Sequence, residues 1–236
     1  MPYSDKLLCG TGEKLSVGQG SGARKISVRR GACLALGFGL TKSTQMKTNR
    51  FGQAAVLSTD QLDRLIAALP AQHHRVLAEV CRRTGCRISE GRQLTWSCVT
   101  SGGVTFPKTI TKGKLASRTV PVTPKLQGIL AGWRRDWAAL YGRKPLAGDF
   151  VFQGRFQGTC LSSRAFMDAL ELAATEVGLE GVSSHSFRRS ALSSASEAGI
   201  PLAALRALSG HQSLQTLQRY LEISQTAKEK AAAAFA

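Results

Sequence analysis

The chain has 236 residues, 43% of them hydrophobic, and carries 32 Lys and Arg against 15 Asp and Glu. This length is enough for one sizeable domain with its own core plus a smaller piece. The lack of any run of about 18 apolar residues excludes a transmembrane helix. The net charge of +17 favours a polyanionic partner, most often nucleic acid. Ribosomal-type and membrane-surface proteins carry similar charge, and a basic surface can simply be solvated, so charge alone leaves the activity open.

The cysteines and the N-terminus predict a cytoplasmic protein. No cysteines form a CxxC pair or a zinc-like cadence with histidine, so we expect reduced thiols. The N-terminus has no basic start followed by an apolar run and a cleavage site, so secretion is not expected. The six cysteines are Cys9, Cys33, Cys81, Cys86, Cys98 and Cys160.

Residues 1–56 differ in composition from the rest of the chain. They are rich in Gly, Ser, Lys and Arg and have little periodicity. We interpret them as a basic, disordered N-terminal arm. Such an arm would follow DNA phosphates. The alternative is a leader, or upstream sequence that is not translated in the cell, with Met46 as the start.

Helical patterns begin near Ser58. Ser58 and Gln61 fit a capping box, and residues 62–69 have apolar side chains at helical spacing. A second helix is predicted over 70–85 and a short one over 88–93. Four strand-like segments then pair into two hairpins, around Gly102-Gly103 and Gly113-Lys114. The segments are 94–99, 104–106, 109–112 and 118–122.

The C-terminal half is predicted to be mostly helical. One helix carries His185 and Arg188 and ends near residue 198, and Tyr220 lies in another. The region 149–160 is irregular and strand-like. The remaining helices are predicted at 124–141, 162–177, 201–209, 213–222 and 227–236. The predicted fold class is therefore mainly α with a small antiparallel β-sheet (α+β).

Chemistry-bearing side chains cluster in this C-terminal half. His185 and Arg188 are one helical turn apart and share a face, near a helix N-terminus that favours an anion. Each pattern alone has a plain structural explanation. An HxxR pair can be a surface ion pair, His211 can be packed or solvated, and Tyr220 can be a core residue beside an apolar stripe.

Together these motifs resemble the tyrosine recombinase (phage integrase) family, over about residues 57–224. The motifs are Thr84-Gly-Cys-Arg87, Lys112 before Arg118-Thr-Val-Pro121, His185-Ser-Phe-Arg188, Gly210-His211 and Arg219-Tyr220. The resemblance implies the tyrosine recombinase catalytic-domain fold. Ser209 stands where the family often has leucine. The family's hairpin lysine matches Lys112 or Lys114, of which Lys112 is preferred.

The resemblance implies a role for each matching position. Arg87 and Arg188 would bind the non-bridging oxygens of a DNA phosphate, and His211 would donate a further hydrogen bond to it. Glu90 would orient Arg87, unless it is an exposed helix carboxylate. Tyr220 would be the nucleophile that forms a 3′-phosphotyrosine.

Two further positions would move protons in this scheme. Lys112 would be the general acid for the leaving 5′ oxygen, and His185 would assist proton transfer from Tyr220. The resemblance implies no cofactor and no metal. It also implies double-stranded DNA as the partner.

The implied activity is site-specific recombination by a homotetramer at synapsis. The family's usual helical core-binding domain is not evident before residue 57, which predicts a weaker or differently organised grip on DNA, or reliance on an accessory DNA-binding protein. The helical tail at 225–236 is a candidate for docking onto a neighbouring subunit. Two alternatives are a type IB topoisomerase-like enzyme that nicks and reseals DNA, and a non-catalytic DNA-binding relative.

Overall fold

A computed structural model describes residues 53–113, 116–221, 228–229 and 232–233. Most of the predicted basic arm, residues 1–52, therefore lies outside the described residues. The described residues form a mainly helical domain with a two-stranded antiparallel sheet, which confirms the predicted fold class. In chain order the elements are α1 (Thr59–Ala68), α2 (Gln72–Thr84), α3 (Ile88–Gly91), a 3₁₀ helix (Trp96–Cys98), β1 (Val104–Phe106), β2 (Arg118–Val120), α4 (Pro124–Tyr141), α5 (Ser163–Glu176), α6 (Ser184–Glu197), α7 (Leu202–Ser209) and α8 (Leu214–Gln218).

The limits of the first two helices depend on capping residues that are close in sequence. Ser58 and Gln61 form the predicted reciprocal capping box at the start of α1, with N–H···O distances of 3.2 and 2.9 Å. Helix α2 begins at Gln72, two residues after the predicted start at Pro70. It ends at Gly85, whose φ of 62° lies in the left-handed region that glycine adopts without strain.

The prediction of a strand at 94–99 was wrong. Trp96–Cys98 is a 3₁₀ helix, and the N–H groups of Trp96 and Ser97 donate to the carbonyls of Asp149 and Ala147. Trp96 is buried edge-on against Trp137, so packing of this large side chain overrides the local strand preference. Gly102-Gly103 does form a turn, but a single bridge from Val99 to Val104 closes it.

The second hairpin was also predicted incorrectly. Strand β1 pairs with β2 in antiparallel register, with Val104 opposite Val120. The predicted strand at 109–112 is instead part of the connection 107–117 between β1 and β2. Pro107 ends β1 because it has no N–H to donate, and its carbonyl accepts from Ile110 in a turn.

The main core lies where α2 packs against both α4 and α6. Trp133 and Trp137 of α4 are buried and donate their indole N–H groups to the carbonyls of Val151 and Phe150, at 2.8 and 3.3 Å. These bonds attach the irregular segment at 149–160 to the helical core. A smaller apolar cluster joins α6, α7 and α8, with Leu192, Leu205 and Leu217 at its centre.

Helix α8 is shorter than predicted. Helix α8 ends at Gln218, and Tyr220 lies in the turn that follows instead of in the helix. Residues 228–229 and 232–233 are helical, and the rest of the predicted C-terminal helix lies outside the described residues.

Two kinds of feature are absent from the described part of the chain. No helix there is both long and apolar enough to cross a membrane. Nor do three or more His, Cys, Asp or Glu side chains come together in a metal-binding arrangement. Cys81, Cys86, Cys98 and Cys160 are free thiols, and Cys9 and Cys33 lie outside the described residues.

Candidate active site

Arg188 is held by the C-terminal ends of two other helices. Its side chain is 1% exposed, and its Nη1 and Nη2 donate to the carbonyls of Gly85 and Ser209 at 2.6 and 2.8 Å. Carbonyls at a helix C-terminus lack an intrahelical partner and carry partial negative charge, which suits a buried cation. Burial is the main cause that lowers the pKa of Arg188 to about 10, and the positive charge of Arg87 is the second. The guanidinium therefore stays charged at neutral pH.

His211 lies beside this guanidinium. It follows Gly210, whose φ of 68° ends α7, and it is 4% exposed. Its Nδ1 is 2.7 Å from Ser209 Oγ, and its Nε2 is 3.1 Å from Arg188 Nη2. Burial is the main cause that lowers the pKa of His211 to about 3, and the positive charge of Arg188 is the second. The imidazole is therefore neutral at physiological pH.

Glu90 is fully buried and contacts two arginines, so the alternative of an exposed carboxylate was wrong. Its carboxylate accepts from the backbone N–H and the Nη1 of Arg87, at 3.0 and 2.9 Å. It also accepts from Arg118 Nη2 at 2.5 Å. Burial alone raises the pKa of this carboxyl, but hydrogen bonds from Arg118 and Arg87 bring the net pKa below its usual value. The predicted orienting contact between Glu90 and Arg87 is confirmed.

Arg118 is a supporting residue that sequence reasoning missed. Besides binding Glu90, its Nε donates to the carbonyl of Leu208 at 3.1 Å, and its Cζ lies 4.5 Å from the Phe106 ring centre. A Cβ added to Gly210 would be 2.9 Å from Arg118 Nη1, so the glycine gives this arginine room. The two-residue alternation of side chains along a strand could have identified it. Arg118 shares a face of β2 with buried Val120, which points its charge inward.

Tyr220 reaches the same place from the turn after α8. Its half-buried ring lies 4.9 Å from the ring of His211 and 6.2 Å from that of His185, between centres. Arg188 Cζ is 5.6 Å from the Tyr220 ring centre. The structure thus brings four of the predicted side chains together from α6, the α7 end and the α8 end.

Lys112 and Arg87 line one cavity together with three of these side chains. The cavity has a volume of about 310 Å³ and is lined by Arg87, Lys112, His185, Arg188 and Tyr220, among others. His211 lines the neighbouring cavity, together with Arg87 and Lys112. Lys112 and His185 are exposed. Lys114 lies outside the described residues, so the choice between the two lysines stays a prediction.

The family model described as "Phage integrase family" matches residues 55–226, which is most of the chain. The chain belongs to the phage integrase family. The match covers all the elements that build the site, from α1 to the turn that carries Tyr220.

Curated relatives within the family are recombinases or putative recombinases. Tyrosine recombinase XerC of Bifidobacterium longum (strain DJO10A) is 27% identical over 171 residues, covering 70% of this chain and 47% of the relative. Putative integrase/recombinase y4qK of Sinorhizobium fredii (strain NBRC 101917 / NGR234) is 31% identical over 171 residues, covering 72% of this chain and 52% of the relative. This integrase-family chain therefore spans about half the length of the curated relatives it matches.

Solved structures share the fold at low sequence identity. The XerA recombinase has a TM-score of 0.62 at 18% identity, covering 77% of this chain and 63% of that one. The XerH site-specific recombinase bound to palindromic difH substrate, in a post-cleavage complex, has a TM-score of 0.63 at 22% identity. That match covers 80% of this chain and 55% of XerH. At these identities the comparison shows the integrase-family fold.

Proposed function

We propose that this chain is a site-specific DNA recombinase that cuts and rejoins DNA through a 3′-phosphotyrosine intermediate, with residues 57–224 as its catalytic domain. The observation that carries the proposal is the buried Arg188 guanidinium next to the Tyr220 ring. A guanidinium has five N–H donors. Two backbone carbonyls position Arg188, while its Nε has no hydrogen-bond partner among the described residues. Donors therefore remain for an anion beside a candidate nucleophile.

The two arginines would bind the scissile phosphate. Attack on a phosphodiester builds negative charge on its two non-bridging oxygens, and guanidinium groups match such oxygens in geometry and charge. Arg188, which is buried, and Arg87, which is half-buried and held by Glu90, both line the cavity. His211 would add a hydrogen bond from Nε2. The phosphate would therefore enter a site whose positive groups are already placed.

The remaining three side chains account for the bonds and protons of the covalent step. Tyr220 Oη bonds to phosphorus as its proton leaves with the help of His185, and the bond from phosphorus to the 5′ oxygen breaks. The leaving 5′ oxygen takes a proton from Lys112. A 5′ hydroxyl of a second strand reverses the sequence, so the phosphotyrosine retains the bond energy for rejoining.

The proposed substrate is double-stranded DNA, and the proposed assembly is a homotetramer at synapsis. We further propose that an accessory DNA-binding protein takes part and that the enzyme acts on DNA in the cytoplasm. The net charge of +17 supports a DNA partner. XerH was solved bound to difH substrates in both a pre-cleavage and a post-cleavage complex, which supports DNA cleavage by this fold. A requirement for paired sites in the reaction would support recombination, and relaxation of supercoils without pairing would favour the topoisomerase-like alternative.

Trapping on nicked duplexes tests the proposal. Cleavage just upstream of the nick releases a short fragment, so a covalent protein–DNA adduct accumulates. We expect the adduct with the unmodified chain and with Tyr141→Phe, an exposed tyrosine at the end of α4 that serves as the control. Tyr220→Phe should form none. An adduct that persists in Tyr220→Phe would refute the mechanism, as would the absence of adducts on a duplex that the protein binds.

A further inference from the structure

Ser209 contacts both buried groups of the candidate site. It is the last residue of α7 and is 1% exposed. Its carbonyl accepts from Arg188 Nη2 at 2.8 Å, and its hydroxyl lies 2.7 Å from His211 Nδ1. The same hydroxyl is 3.4 Å from the carbonyl of Arg206, to which it can donate. The side chain therefore has one partner on each side.

These contacts determine which nitrogen of His211 carries the proton. A neutral imidazole has one N–H donor and one acceptor nitrogen, and the partners of each nitrogen decide the tautomer. Arg188 Nη2, which can only donate, lies 3.1 Å from Nε2 and 3.3 Å from Nδ1, so it does not by itself select one nitrogen. The Ser209 hydroxyl makes the selection, because its oxygen accepts from Nδ1 when it donates to the carbonyl of Arg206. The proton is then on Nδ1 and is donated to Ser209 Oγ, while Ser209 donates to Arg206.

A bound phosphate would reverse the preference. An anion beside Nε2 favours a proton on Nε2, and Nδ1 then needs a donor. The Ser209 hydroxyl can supply it by turning its hydrogen from the Arg206 carbonyl to Nδ1. The imidazole proton moves from Nδ1 to Nε2 by exchange with water, with no change in net charge. Without a hydroxyl at position 209, a proton on Nδ1 has no acceptor, which is costly at a buried site. With the proton on Nε2, Nδ1 keeps only the 3.3 Å contact to Arg188 Nη2.

We propose that Ser209 is a positioning residue for His211, whose hydroxyl holds Nδ1 in both tautomers so that Nε2 can donate to the phosphate. This inference rests on the proposed function. It makes Ser209 matter for the cleavage step more than for DNA binding, because its hydroxyl acts only through the imidazole. The contact that holds Arg188 uses the Ser209 carbonyl and survives side-chain substitution.

A double-mutant cycle tests the coupling. Ser209→Ala should slow single-turnover cleavage about tenfold, the loss expected for one hydrogen bond, with unchanged DNA affinity. In the His211→Gln background the same substitution should cause no further loss, because the group it positions is gone. No effect of Ser209→Ala, or an equal effect in both backgrounds, would overturn the proposal.

A matched pair of variants separates the effect of the Ser209 hydroxyl from the effect of side-chain size. Threonine and valine at position 209 have nearly the same shape and differ by a hydroxyl, so any strain from the added methyl group is common to both. We expect Ser209→Thr to cleave several-fold faster than Ser209→Val. Equal rates in the two variants would contradict a role for the hydroxyl.

Nuclear magnetic resonance gives a readout that needs no activity. In protein labelled with ¹⁵N-histidine, His211 should give a resolved Nδ1–H correlation, assigned by its loss in His211→Gln. Ser209→Thr should keep the signal, and Ser209→Val should lose it to solvent exchange. A signal unchanged in Ser209→Val would show that the hydroxyl does not hold Nδ1. If the signal behaves as expected while no covalent adduct forms, the proposed function fails and the Ser209–His211 contact stands.

Discussion

The candidate site has a buried side and an exposed side that are built differently. On the buried side, Arg188 and His211 are held by backbone carbonyls and by Ser209 at the ends of helices. On the exposed side, Lys112 lies in the connection 107–117 and His185 on the surface of α6. The groups proposed to bind phosphate are thus positioned by the packed fold, whereas the proposed proton donor is exposed on a loop. Preorganisation lowers the barrier where charge develops, and a loop suits a group that must follow a leaving oxygen.

The largest effect should come from the two arginines. Arg188→Met and Arg87→Met should each slow cleavage about 10³-fold, because each removes a donor to the developing charge. Their effects on stability should differ. Arg188→Met leaves the carbonyls of Gly85 and Ser209 unpaired and should cost about 2 kcal/mol of unfolding free energy, whereas Arg87→Met should cost about 1 kcal/mol, because the buried Glu90 carboxylate keeps Arg118 and the Arg87 backbone N–H as donors. Urea unfolding measures both, and equal stability losses would contradict the larger structural role of the buried Arg188.

The next effect should come from Lys112. Lys112→Met should slow cleavage about 10²-fold, as expected for loss of a general acid, and change stability by less than about 0.5 kcal/mol. Lys108→Met, in the same connection and equally exposed, is the control and should cleave normally. A substrate with sulfur in place of the 5′ oxygen should restore the Lys112→Met rate, because a thiolate leaves without a proton. Equal losses in the two lysine variants would point to general charge attraction instead.

The smallest effect should be an acid sensitivity of stability. The folded-state pKa values of His211 and His74 are about 3 and about 4, both below the unfolded value of about 6.5. The unfolded chain therefore binds more protons below about pH 6.5, and the folded chain loses stability as the pH falls toward these values. Each histidine contributes up to about 1.4 kcal/mol per pH unit.

Replacing either histidine should flatten this dependence. Unfolding free energy measured from about pH 7 to about pH 5 should fall less steeply for His211→Gln and for His74→Leu than for the unmodified chain. His74 is a suitable second test because it is buried against Phe166, with neither ring nitrogen hydrogen-bonded within the described residues. Curves parallel to that of the unmodified chain would show that these imidazoles are not held neutral by folding.

The strand predictions show where local reasoning stopped. The helices with capping side chains or terminal glycines were predicted within about two residues, because their limits depend on neighbours in sequence. The segment 94–99 was misassigned because burial of Trp96 against Trp137 outweighs its strand preference. The strand partners were misassigned because β2 pairs with β1 across the eleven residues 107–117, and local sequence patterns do not specify strand partners over that separation.

The sequence by itself determined which side chains are available and on which local elements they lie. The order of Arg87, Lys112, His185, Arg188, His211 and Tyr220, the glycines that end α2 and α7, and the basic charge are all readable from the chain. Only the tertiary structure decided how those groups are held. Arg188 donates to a carbonyl 103 residues away in the sequence, and Arg118 donates to Glu90, 28 residues away. Ser209 has its proposed role only because His211 is buried beside it. Such contacts depend on how distant helices pack, and a hydrogen bond or a charge has its full effect only once that packing excludes water.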